Sequence, residues 1–228
     1  MSETKKPFRN RTHAGRQLAQ ALPSELRHTD AIVLALPRGG VPVGFAIAKE
    51  LGLELDILMV RKLGLPGHEE FAMGALGSGG VRVVQPHILR SCGITQATLD
   101  AVCERELAEI ERRERQFRGA RPPVQLRGRT VILVDDGLAT GSTMRAAIEV
   151  ARAGAPSRIL AAVPVGAPET CAALAPEVDQ LVCLLCPPVF TAVSKWYQQF
   201  EQTGDDEVQD LLSMAWHDRP QRRHAVPG

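Results

Sequence analysis

Short, β-branched apolar runs separated by helical stretches place the tightest limit on how this 228-residue chain can fold. The runs are Ala31 to Leu36 (AIVLAL), Leu55 to Val60 (LDILMV), Thr130 to Val134 (TVILV), Arg158 to Pro164 (RILAAVP) and Asp179 to Leu185 (DQLVCLL). Runs of this length, bounded by Gly, Pro or Asp, fit strands buried on both faces. Helical patterns lie between them at Pro42 to Leu51, Ser142 to Ala153 and Pro168 to Ala175, and another covers Thr12 to Leu22. The alternation predicts an α/β protein with a mostly parallel central sheet of about five strands flanked by helices. Gly64 to Gly80, glycine-rich and containing Pro66, reads as a mobile loop, and Val81 to Val84 as a short added strand.

From Thr95 to Phe117 the pattern becomes a charged helix. Glu109–Arg113, Glu111–Arg115 and Glu114–Arg118 place acid before base four residues apart, which supports a helix. Leu99, Val102, Leu107 and Ile110 give it a partial apolar stripe. Its interleaved signs cancel, so a solvated or subunit-facing helix is expected rather than a nucleic-acid surface. The formal net charge of +1 likewise gives no global pull toward nucleic acid or an anionic membrane. Any anion binding must be local.

Met1 to Asn10 is polar, and no run approaches the roughly 18 apolar residues of a membrane span. The five cysteines are odd in number and scattered, which argues against a disulfide framework and for a cytoplasmic protein. Cys183 and Cys186 have CxxC spacing in an apolar stretch with no second ligand pair nearby in the sequence, so core packing is expected there.

The segment Val131 to Thr143, VILVDDGLATGST, carries the most chemistry. A hydrophobic strand ends in Asp135 and Asp136, a glycine-bearing loop follows, and a helix begins at its far end. Unpaired N–H groups at a helix start, with the positive end of the helix dipole, hold a phosphate. Thr140, Ser142 and Thr143 add hydroxyls, while Gly137 and Gly141 permit close backbone approach. Two carboxylates beside an anion site would repel it unless they serve another group, and vicinal ribose hydroxyls suit them. No lysine follows Gly141, so this is not a Walker A loop.

Asp135-Asp136-Gly137-Leu138-Ala139-Thr140-Gly141-Ser142-Thr143 resembles the motif with which type I phosphoribosyltransferases bind 5-phosphoribosyl-1-pyrophosphate (PRPP). The resemblance implies their fold, with a small hood and a flexible loop. It also implies PRPP and a nitrogenous base or amine as small-molecule substrates, Mg²⁺ accompanying PRPP, and a homo-oligomer, most simply a dimer. The chain is read as one domain over residues 1–228, its core at about 26–186 and residues 187–228 contributing to the hood. By the same resemblance Asp135 and Asp136 hold the ribose, with Asp136 also catalytic. Ala139, Thr140, Gly141, Ser142 and Thr143 hold the 5′-phosphate.

Arg38-Gly39-Gly40, between the first strand and its helix, looks like the short pyrophosphate loop of that family. Arg61-Lys62 and the stretch through Gly64, Pro66-Gly67, Glu70-Phe71 and Gly74 resemble the closing loop of adenine phosphoribosyltransferases, and more loosely of the orotate enzymes. Arg61 and Lys62 become candidate PRPP ligands, and Glu69 and Glu70, beside His68, candidate catalytic residues. The stretch is one residue shorter than the adenine-enzyme pattern and lacks its further lysine, with Leu65 in that neighbourhood.

Cys186 to Phe200 gathers several of the few aromatics and distantly resembles the segment of hypoxanthine-guanine enzymes that stacks on the purine. Phe190 is the candidate stacking residue; alternatively Phe190, Trp196, Tyr197 and Phe200 dock the C-terminal segment. Ala139 stands where those enzymes carry an aspartate facing the purine, and Val163 to Val165 lack their lysine, so hypoxanthine and guanine are disfavoured. The acceptor stays open. A PRPP-sensing regulator is the rival, disfavoured by the near-neutral charge and by the short stretch before the first strand. A competence-associated relative also fits the layout, and an amidophosphoribosyl relative fits poorly.

Overall fold

The computed structural model describes residues 7–65 and 68–217, without the side chains of 68–71. The chain runs α1 (Arg11–Ala21), β1 (Ile32–Ala35), α2 (Gly40–Leu51), β2 (Glu54–Ile57), β3 (Val60–Leu65), β4 (His68–Gly77) and β5 (Val81–Val84). It continues through α3 (Pro86–Ser91), α4 (Gln96–Arg118), β6 (Thr130–Val134), α5 (Ser142–Ala153), β7 (Arg158–Val165), α6 (Pro168–Leu174), β8 (Gln180–Leu185) and α7 (Asp205–His217).

The five apolar runs form one parallel sheet in the order β2-β1-β6-β7-β8. Side chains alternate across a strand, so this sheet builds two cores. Val33, Ala35, Ile132 and Val134 face one, beneath α1, α2 and α7, while Ile32, Leu34, Val131 and Leu133 face the other, beneath α5. All four residues of β1 are buried. Such burial on both faces is why these strands read as continuous apolar runs rather than alternating ones.

Three expectations are corrected. The described part of Gly64 to Gly80 is not a loop: β3 and β4 pair antiparallel, and β5 completes a second, three-stranded sheet. The glycines serve close packing. A Cβ on Gly74 would fall 2.2 Å from the Val83 carbonyl oxygen, and one on Gly77 2.2 Å from Val150 Cγ1 of α5. The charged helix α4 is not merely solvated, because Leu99, Cys103, Ile110 and Phe117 are buried on one side of it. Cys183 is half-buried and Cys186 exposed, so they do not share a place in the core.

Two features were not anticipated. Helix α7 closes over α2 and α4 and buries Val208 and Leu212. Its signal was present: Asp205, Asp206 and Glu207 suit a helix start, with Val208, Leu211, Leu212 and Ala215 at helical spacing behind them. At the far end of α4, Arg118 is buried and donates to Asp56 Oδ1 at 2.9 Å and to the Ile57 carbonyl at 2.6 Å. Asp56 Oδ2 is buried without a hydrogen-bond partner among the described residues, and burial, opposed by Arg118, holds the Asp56 carboxyl above its usual range.

Candidate functional site

Strand order decides where the two glycine-bearing loops go. From β1 the chain crosses to β2 on one side, while from β6 it crosses to β7 on the other. At such a reversal the connections leave on opposite faces, and a crevice opens at the carboxyl ends of the two strands. The Arg38-Gly39-Gly40 turn follows β1 and the Asp135-Asp136-Gly137 turn follows β6, so the sheet brings them together although 97 residues separate Gly39 from Asp136 in sequence.

Their contact is tight. A Cβ on Gly39 would lie 2.1 Å from Asp136 Oδ2, and one on Gly40 2.6 Å from the Val134 carbonyl oxygen. Glycine is required here for want of space, not for an unusual dihedral, since Gly39 has an ordinary φ of −60°. A backbone bond from Leu36 N to Val134 O (2.9 Å) joins the two strand ends, and one from Gly40 N to Leu36 O (3.0 Å) closes the Arg38 turn on itself.

The acid pair is polarised by its surroundings. Asp135 Oδ1 accepts from the Asp136 amide at 2.8 Å. Asp136 Oδ2 accepts from Arg11 Nε of α1, also at 2.8 Å. Burial, and then the neighbouring Asp136 charge, hold the Asp135 carboxyl well above the usual range. Burial raises Asp136 too, with Arg11 working against it. Asp135 Oδ2 and Asp136 Oδ1 have no hydrogen-bond partner among the described residues.

The loop beyond the acids is held by its back. Leu138 N donates to Val165 O and Ala167 N to Leu138 O, both at 2.8 Å, and Thr170 Oγ1 donates to Ala139 O at 2.7 Å. Gly141 caps α5 with φ 76°, a left-handed conformation that suits glycine, and no side chain caps the helix. A Cβ there would also meet Thr170 Cγ2 at 2.6 Å. Ala139, Thr140, Ser142 and Thr143 are exposed, and the Thr140 and Ser142 hydroxyls lie 3.2 Å apart. The Ser142 amide makes a long bond to Thr140 Oγ1 at 3.5 Å, and Gly141 has no side chain to cap the other first-turn amides beside these hydroxyls.

The remaining candidates are distributed more widely. Arg38 lies on its turn with an ion pair to Asp205 of α7 at 3.4 Å. Arg61, on β3, pairs with Glu109 at 3.4 Å and Glu106 at 4.0 Å on α4, and Lys62 beside it is exposed. Among the described residues no ion pair or hydrogen bond joins Arg61 to the acid pair. The side chains of Glu69 and Glu70 lie outside the described residues.

Phe190 is half-buried and packs on an apolar cluster of Phe8, Ala14, Val165 and Tyr197, joined by Val193, Trp196 and Phe200. This segment covers the acid turn: Tyr197 Oη donates to the Asp136 carbonyl at 2.7 Å, and a Cβ on Gly137 would fall 2.5 Å from Val193 Cγ1. Burial, then the Asp136 charge, raise the Tyr197 hydroxyl above its usual range. The N-terminal segment joins the cover, with Phe8 N bonded to Trp196 O and Gln198 N to Phe8 O. Arg11 stands 3.9 Å from the Phe200 ring centre. Neither Arg11 nor Tyr197 was singled out from sequence as a neighbour of Asp136. Arg11 is 125 residues away from it, and nothing local marks a helix arginine as its partner.

Fold and geometry define a doubly wound α/β protein with two glycine turns and an acid pair meeting at its switch point. The chain belongs to the phosphoribosyl transferase domain family, whose signature spans residues 8–199, and the fold expected from the motif is the one found. Two Mycobacterium tuberculosis proteins, provisionally named phosphoribosyl transferases, are 46% identical over 213 residues, 93% of this chain and 48% of theirs. The chain therefore spans about half the length of these curated relatives. The crystal structure of TT1426 from Thermus thermophilus is similar at TM-score 0.82 and 40% identity, covering 90% of this chain and 97% of that one. No helix among the described residues is long and apolar enough to cross a membrane.

Proposed function

We propose that the site binds PRPP and transfers its 5-phosphoribosyl group to a nitrogenous base or amine, releasing pyrophosphate. The observation that carries this reading is the contact between Gly39 and Asp136. It sets an acid pair, an uncapped helix start and a second glycine turn around one crevice. The α5 amides with Thr140, Ser142 and Thr143 suit the 5′-phosphate. Asp135 Oδ2 and Asp136 Oδ1 suit the ribose hydroxyls, and the Arg38-Gly39-Gly40 turn suits the pyrophosphate.

In the reaction the acceptor nitrogen's lone pair forms a bond to C1 while the C1–oxygen bond breaks and pyrophosphate departs with its electrons. Positive character grows on the sugar, and Asp136 is the acid that offsets it; donors on the Arg38 turn offset charge on the leaving group. Arg38 can exchange its long, partly exposed pair with Asp205 for the anion. Arg61, Lys62, Glu69 and Glu70 are proposed to act from the β3–β4 hairpin, where closure would exclude water from the activated sugar.

The donor set also fits Mg²⁺, a hard cation that takes one or two carboxylates plus substrate phosphates and keeps several waters. Asp135 and Asp136 would hold it through the lone pairs that their unpartnered oxygens keep beyond the ribose hydroxyls, and it would supply charge neutralisation on the pyrophosphate.

The test is pyrophosphate release from PRPP with Mg²⁺ across purines, pyrimidines and small amines. Calorimetric titration with PRPP on the parent chain and on Asp136→Asn combined with Thr140→Val accompanies it. Turnover with one acceptor class, and PRPP binding lost in the double variant, is the expected result. No heat of PRPP binding together with no turnover across the panel would overturn the proposal.

A further inference from the structure

Three cysteine sulfurs from separate points in the chain converge behind the Ala139–Thr143 loop. Cys171 lies in α6, Cys183 in β8, and Cys186 just beyond that strand. Their Sγ atoms all lie within 4.8 Å of one another. Between them passes Gly166, where a Cβ would fall 2.4 Å from Cys171 Sγ and 3.3 Å from Cys183 Sγ. Glycine at that point keeps open the space the thiols share.

Apolar packing explains Cys171, which is 7% exposed, but not the set. Cys186 is exposed and nevertheless brings its sulfur to the other two. A redox or nucleophilic role asks for a lowered thiol pKa. Burial instead raises the Cys171 and Cys183 thiols above their usual range, and the proposal rests on the convergence of the three sulfurs.

Three thiolates are a soft donor set, suited to Zn²⁺ or another thiophilic cation and unsuited to Mg²⁺ or Ca²⁺. With Zn–S bonds of about 2.3 Å, tetrahedral sulfurs stand roughly 3.8 Å apart. The sulfurs here need draw in by no more than about 1 Å to reach that spacing.

We propose that Cys171, Cys183 and Cys186 form a three-thiolate site for one thiophilic cation, clamping α6 to the end of β8. On binding, each S–H bond is replaced by an S–metal bond and its proton goes to solvent. The residue before Cys171 is Thr170, whose hydroxyl holds Ala139 O at 2.7 Å and whose methyl abuts Gly141. An occupied site would therefore brace the loop assigned to the 5′-phosphate. Metal binding itself stands apart from the transferase reading, and either can fail without the other.

The experiment titrates the reduced full chain with Co²⁺ and then with Zn²⁺, on the parent and on the Cys171→Ser, Cys183→Ser, Cys186→Ser and Cys92→Ser variants. The parent should develop a thiolate-to-cobalt charge-transfer band that Zn²⁺ abolishes at one equivalent per chain. Each of the three ligand variants should weaken Zn²⁺ binding by more than about 100-fold, beyond the loss a merely supporting group causes. Cys92→Ser, at an exposed cysteine outside the cluster, should behave as the parent. Zn²⁺ should also raise the melting temperature of the parent and not that of Cys186→Ser, whose exposed position tolerates serine. Absence of the band in the parent, or its survival in Cys186→Ser, overturns the proposal.

Discussion

Arg11 Nε donates to Asp136 Oδ2 across 2.8 Å, tying the first turn of α1 to the acid pair at the end of β6. The side chains are 12% and 17% exposed, so water compensates little if the pair is broken. The same guanidinium reaches the Glu201 carbonyl at 2.7 Å and covers the Phe200 ring. Arg11→Ala should cost about 2 kcal/mol, the scale of a charged hydrogen bond whose partner stays buried. Urea denaturation would measure it. In a cycle with Asp136→Asn the double variant should lose less than the sum of the singles; strict additivity would mean the pair contributes nothing.

Asp135 holds its proton more tightly when folded than when unfolded, because burial and the Asp136 charge both disfavour its ionised form. The linkage therefore favours the fold below the unfolded carboxylate pKa and is lost as pH rises through the raised folded value. Asp135→Asn should leave stability unchanged in acid and increase it at neutral pH, since the amide oxygen can still accept from Asp136 N. Melting curves from acid to neutral pH for both chains provide the check. A variant less stable than the parent at neutral pH would contradict the sign.

Gly39→Ala should be poorly tolerated despite its ordinary backbone. The added methyl would meet Asp136 Oδ2 at 2.1 Å, so either the Arg38 turn or the acid pair must move. Overpacking of this kind costs about 1–3 kcal/mol. A lowered melting temperature and weakened calorimetric PRPP binding are expected together; unchanged PRPP affinity would separate the glycine contact from the proposed site.

Arg118→Ala should destabilise by about 3–5 kcal/mol, because it leaves Asp56 buried, already short of one partner, and without its cation. Replacing both residues by apolar ones, as in Asp56→Leu with Arg118→Met, should recover most of that loss. Chemical denaturation of the two variants decides it.

Much of this was legible in the chain. The five strands of the parallel sheet announce themselves through burial on both faces, and VILVDDGLATGST through the local geometry of strand, turn and helix start. The i to i+4 pairs of α4 formed as spaced, with Glu109 and Arg113 at 2.8 Å. The β3–β4 hairpin was misread because glycine reports flexibility and close packing alike, and only the neighbours of Gly74 and Gly77 tell which. Arg61 shows the same limit: it was read at the end of the second strand, whereas it lies within β3 of the second sheet with two partners on α4.

What the sequence determined alone was local: which segments are strands and helices, and which loop carries acids, glycines and hydroxyls in the order an anion and a sugar require. Only the tertiary structure decided that Gly39 lies against Asp136, that Arg11 pairs with it across 125 residues, and that Cys171 joins Cys183 and Cys186. The reason is physical. Helix and strand patterns arise from neighbours within a few residues, whereas these contacts depend on the order of strands in the sheet, which no single segment encodes.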